Sequence, residues 1–116
     1  MKNQREANGD RLKQIAQAIA SVRIYTKDLD KEAFFSDQMI QDAVLMQFII
    51  IGENVARLEE DLLEKYAYPW HRVRAFRNII AHDYYNISPE AVWAIIVHDL
   101  AVLESQIDTI IGSEGF

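Results

Sequence analysis

The stretch from Ser36 to Tyr66 constrains the fold most, because its apolar residues recur at helical spacing on two faces. Ile40, Val44, Ile51, Val55, Leu58 and Leu62 make one stripe; Leu45, Phe48, Ile49, Gly52 and Ala56 make another. A helix serving a single core needs only one stripe. Two imply a central bundle helix, or one side reserved for a second subunit. Ser36 or Asp37 is the expected cap, with the helix running to Tyr66. Gly52 reads either as a close approach of another backbone or as a mild kink.

The other segments also read as helix. Residues 1–9 are polar and read as a flexible leader; Asp10 then caps a helix carrying Leu12, Ile15, Ile19 and Val22 inward as far as Lys27. Asp28-Leu29-Asp30 breaks it, and Lys31 to Phe35 gives a short helical turn. Pro69 suits the first turn of the next helix, in which Val73, Phe76 and Ile80 face inward up to Ala81. Ser88-Pro89-Glu90 is a strong start signal, Val92, Ile96, Leu100, Leu103, Ile107 and Ile110 form the inward face, and Gly112 is the expected stop. No segment alternates with period two, and no linker or repeat divides the chain. The expectation is all-α: one domain over residues 1–116, an antiparallel bundle of four main helices plus one short helix.

Composition narrows the function. A chain of 116 residues, half of them apolar, can bury about 65% of its unfolded surface without staples. It has no Cys, hence no disulfides or thiolate metal site. The apolar run from Phe48 to Gly52 is short for a membrane span, and the start from Met1 to Glu6 does not read as a signal peptide. A cytoplasmic, cofactor-free protein is expected. The net charge of −6 argues against general nucleic-acid affinity, so DNA is not expected as a partner. Residues 66–82, however, hold Arg72, Arg74 and Arg77 with no acid. That run reads either as a patch attracting RNA phosphates or as a solvated helix face.

The same run concentrates the chemistry. Arg77 and His82 are five apart, so on one regular helix they point about 140° away from each other. Either the helix ends near His82 and the ring swings round, or a second protomer completes the site; the second is preferred. Asn78 and His82 share a face, so the Asn amide could fix the imidazole tautomer. His71 and His98 lack partners at metal-ligand spacing, and no metal is expected. Trp70 and Trp93 read as core or interface anchors.

Arg77-Asn78-x-x-x-His82-x-Tyr84 resembles the Arg-x4-His-x-Tyr signature of HEPN-domain ribonucleases, and the flanks look most like the HepT toxin family. The similarity runs from about Leu12 to Ile110 and includes Asp42-Ala43-Val44, Ile50-Ile51-Gly52-Glu53 and Val92-Trp93. Ala75 departs from it where many members place Gly. The resemblance implies a homodimeric, metal-independent endoribonuclease that leaves 2′,3′-cyclic phosphate ends. Arg77 would clamp the scissile phosphate and His82 would act as general acid–base. Asn78 would orient, Arg72 and Arg74 would attract RNA, and Glu53 would pair with Arg77 or Arg57 or aim Arg77. Tyr84 would bind phosphate or stack on a base, and would be the tyrosine adenylylated by an MntA-like minimal nucleotidyltransferase antitoxin; the adjacent Tyr85 stays open as acceptor. Two other readings stand beside this one. The first is a non-catalytic helical dimer binding nucleotide, phosphate or a partner; the second is a structural bundle with a basic spot.

Overall fold

The computed structural model describes residues 3–116, and within them every regular element is helical. Four long runs, α1 (Gln4–Thr26), α3 (Gln38–Arg57), α5 (Trp70–Asp83) and a composite last helix, are joined through two short helices, α2 (Lys31–Phe35) and α4 (Glu60–Leu63). The last helix consists of α6 (Pro89–Ala94), a π turn (Ile95–Asp99) and α7 (Leu100–Glu114). The short helices thus number two, where one was expected.

The central position of α3 follows from its two stripes. Val44, Phe48, Ile51 and Val55 are buried, and α3 packs on α1 along one side and on α5 along another. Early α1 meets late α3, since Asn8 Nδ2 donates to Glu59 at 2.8 Å and Arg11 to the Arg57 carbonyl at 2.5 Å. Phe48 meets Phe76 at 5.9 Å between ring centres, while Gly52 faces Val73 and Arg77, so α5 also runs antiparallel to α3. Arg5 reaches the Glu114 carbonyl and Arg23 pairs with Glu104, which sets α1 antiparallel to α7. By length and composition α3 is, among the described residues, the one helix apolar enough to cross a membrane; here it is the central helix of the bundle.

Several boundaries differ from the sequence expectation, each because a distant partner intervenes. The first helix begins at Gln4, not after Asp10: Asn3 accepts from the Glu6 amide at 2.8 Å, and Arg5 and Asn8 tie the first turns to α7 and to Glu59. Of the leader expected over residues 1–9, Met1 and Lys2 lie outside the described residues. The long helix stops at Arg57, because Leu58 turns extended and buries itself with Leu62 and Leu63. Gly112 sits inside the last helix; Gly115, at φ 73°, ends it.

Of Ser36 and Asp37 it is Asp37 that caps the long helix, and Ser88 caps the last as read; Asp30, read only as part of a break, caps α2, each side chain accepting from the backbone amide three residues on. The π turn explains how the last helix keeps one face inward. Val92 and Leu100 are both buried but eight residues apart, and two regular turns take only about 7.2 residues. The wider π turn absorbs the difference, moves Ile96 to a half-buried position and leaves Asp99 exposed.

Gly52→Ala is expected to lower stability by about 1–3 kcal/mol, since the new methyl must push Arg77 and the α5 backbone aside. Urea denaturation measures it; an unchanged midpoint would contradict the packing described.

Candidate functional site

Only Trp70 and Ile80 of α5 are buried, so this helix lies on the bundle with most of its surface in solvent. Its seat is Gly52. A Cβ there would overlap Arg77 Cβ, come within 2.8 Å of Arg77 Cγ and lie 3.3 Å from the Val73 carbonyl. Of the two readings of Gly52, close approach is therefore the one realised. Trp70 anchors the start of the helix, its indole donating to the Tyr66 carbonyl at 3.2 Å.

Arg77 is laid along α3 by this seat, and its guanidinium meets Glu53 in an ion pair, with Nη1 also donating to Asn78 Oδ1 at 2.8 Å. The second Glu53 oxygen lies 3.7 Å from Arg57, so Glu53 pairs with both arginines weighed for it. Arg77 Nε is buried without a protein partner. Asn78 thus engages Arg77, not His82. His82 lies in the last turn of α5, exposed, and makes no hydrogen bond or ion pair with a described residue. Because α5 stays helical to Asp83, the imidazole does not swing back, and the two side chains point about 140° apart.

The acid-free run is not acid-free in space. Arg74 pairs with Glu60 at 2.6 Å and Arg77 with Glu53; Arg72 is the arginine of the three left without a carboxylate among the described residues. The sequence distance between these partners hid the pairing. His71 and His98 are both exposed, and among the described residues no three His, Asp or Glu side chains gather as a metal site.

Tyr84 opens a short 3-10 turn, Tyr84–Asn86, and its ring stacks on Tyr85 at 4.1 Å. Both are accessible, 46% and 83%, which leaves both open to modification. The hydrogen bond with Tyr85, then partial burial, then the charges of Tyr85 and Asp42, hold the Tyr84 phenol above its ordinary pKa. Asp42, not singled out from sequence as a site residue, lines a hollow of about 250 Å³ beside Tyr84 with Met46, Ile49 and Ile80. The spacing of Asp42, Met46, Ile49 and Glu53 on one α3 stripe carried that signal.

A helical bundle that carries Arg77 and His82 on a half-exposed helix, with Tyr84 opening the turn after it, is compatible with a HEPN domain. Residues 15–110 match the family described as HepT-like, Ribonuclease HepT-like, and the chain belongs to that family. Two similar proteins come from Methanocaldococcus jannaschii. One, named "Gamma-glutamylcyclotransferase and putative RNase MJ0434", is 31% identical over 83% of this chain and 44% of its own length. The other, "Putative RNase MJ1380", is 30% identical over 83% of this chain and 89% of its own. The chain therefore spans under half the length of the first and most of the second. "Probable ribonuclease HepT" of Thermococcus cleftensis is 25% identical over 90% of this chain and 96% of its own. No solved structure matches the chain.

The Arg77–Glu53 pair is about one-third exposed, so its coupling in a double-mutant cycle with Arg77→Ala and Glu53→Ala is expected near about 1 kcal/mol. Coupling indistinguishable from zero in thermal or urea unfolding would contradict a defined pair.

Proposed function

We propose that this chain is a HepT-type endoribonuclease toxin whose site is shared between two copies. The observation that carries the reading is the divergence of Arg77 and His82 on one unbroken helix, with Arg77 seated beside Glu53 and Asn78 and His82 left unpaired. One copy cannot aim both groups at a single phosphorus atom; two copies facing each other across α5 can. One His82 takes the proton from a ribose 2′-OH, and that oxygen attacks the adjacent phosphorus. The other His82 protonates the departing 5′-oxygen, leaving a 2′,3′-cyclic phosphate and a 5′-hydroxyl. The Arg77 guanidinium neutralises charge building on the phosphoryl oxygens, and Glu53 keeps it aimed. No step needs a metal.

In this reading silencing acts at Tyr84. An MntA-like nucleotidyltransferase antitoxin would transfer AMP to its hydroxyl, two residues after His82, adding bulk and negative charge at the mouth of an anion-binding cleft. The family membership, the names of the relatives and the accessible Tyr84 support this reading. A second reading, a non-catalytic helical dimer that binds phosphate or a partner, draws on one observation. Arg74 and Arg77 both hold carboxylates, which weakens the cationic patch of a chain of net charge −6.

In EDTA, the wild type is expected to cut RNA, and Arg77→Ala or His82→Ala to lose at least about 100-fold in rate while keeping helicity. Undiminished cutting by either variant removes the reading. Incubation with ATP, magnesium and the antitoxin is expected to add AMP mass to the wild type and none to Tyr84→Phe. An equal gain on Tyr84→Phe would move the acceptor to another residue, Tyr85 first.

A further inference from the structure

Between α3, α5 and the π turn lies a cleft of about 330 Å³ that the machinery described above does not use. Its walls are aromatic and aliphatic: Phe48 and Ile51 from α3, Phe76 from α5, Leu100 behind the π turn, and Tyr68 at one end. Two charged side chains stand on opposite walls, Arg72 on α5 and Asp99 at the end of the π turn. Both are exposed, and neither makes an ion pair or hydrogen bond with a described residue. Elsewhere on α5 the structure pairs its arginines with acids; here a cation and an anion share one cleft and stay apart.

This arrangement has a local cause. The π turn that re-phases Leu100 into the core swings Asp99 to the cleft. Burial, and next the Asp99 charge, hold the Tyr68 phenol above its ordinary pKa, so its hydroxyl stays protonated at the rim. The cleft also adjoins the seat of Arg77. Ile51 precedes Gly52, the Val73 carbonyl lies against Gly52, and Phe76 precedes Arg77.

We propose that this cleft is a base-recognition subsite that holds one unstacked nucleobase of an RNA strand. The inference rests on the ribonuclease reading above. The flat base packs against the aromatic walls, as single-stranded bases do on protein aromatics. Arg72 meets the attached phosphate, and the Asp99 carboxylate accepts from an exocyclic amino group of the base. Because a carboxylate has no hydrogen to give, the subsite favours cytosine, adenine or guanine over uracil, whose O4 would face it. An apolar helix from a second copy would leave both charges unanswered, whereas a nucleotide answers both.

The test is titration of the full chain with CMP, AMP, GMP and UMP, followed through the fluorescence of Trp70, whose ring lies 4.7 Å from that of Tyr68. The three amino-bearing nucleotides are expected to bind at least fivefold more tightly than UMP. Asp99→Asn, which can donate to O4, is expected to narrow that preference below twofold, and Arg72→Ala to weaken all four at least fivefold. Saturable binding by none of them, or an unchanged preference in Asp99→Asn, overturns the proposal. So does a shift of monomer and dimer populations in Arg72→Ala with no nucleotide binding by wild type, which would make the cleft a subunit contact. Sequencing of RNA cleavage ends separates the two claims. Nucleotide binding with the stated preferences but no RNA cleavage defeats the nuclease reading and leaves the subsite. Cleavage dependent on Arg77 and His82, with no nucleotide binding and the same base profile in Asp99→Asn, defeats the subsite alone.

Discussion

A missing methyl group at residue 52 sets the geometry on which the site depends. Without a Cβ on Gly52, α5 settles close enough for the Arg77 stem to lie on the α3 backbone and its head to meet Glu53. The same approach brings Phe76 onto Phe48 and buries Ile80. Once that face is fixed, the helical repeat decides the rest: Asn78 and His82 point away from α3. The partial burial of Arg77 and the exposure of His82 are consequences of one contact.

Much of the architecture was legible because it is local. Caps at Asp37 and Ser88 need only a short polar side chain and the next turn, and both form. The inward faces of α1 and α7 follow from spacing, with Leu12, Ile15, Ile19 and Val22 packed in the core beside Leu103, Ile107 and Ile110. What was not legible depends on partners far along the chain. The first turns of α1 look polar and loose in sequence, yet Arg5 and Asn8 spend that polarity on Glu114 and Glu59. The end of α3 is set by burial of Leu58, Leu62 and Leu63 and by Arg11 reaching the Arg57 carbonyl, none of which periodicity encodes.

The site divides along the same line. Glu53 as the partner of Arg77 could be anticipated because both lie on helices that must pack; the pairing of Arg74 with Glu60 could not, since it needs the turn after α3. Two of three motif-helix arginines are thereby neutralised, and the cationic character read from composition shrinks to Arg72. Any electrostatic attraction for a polyanion is then local and short-ranged in a chain of net charge −6, and salt screens it readily. The π turn is a further non-local feature: an α-helical reading of residues 89–114 finds the inward face but not the displaced Asp99.

The central claim is that Arg77 and His82 act across two copies, and a single-chain tandem tests it most directly. One unit is wild type and the other carries both Arg77→Ala and His82→Ala, and the initial rate of RNA cleavage is compared with a tandem of two wild-type units. A shared site predicts a loss well beyond tenfold, because the lone functional unit supplies one of each group, pointed apart. Retention of half the activity would mean that each chain holds a complete site and would contradict the account.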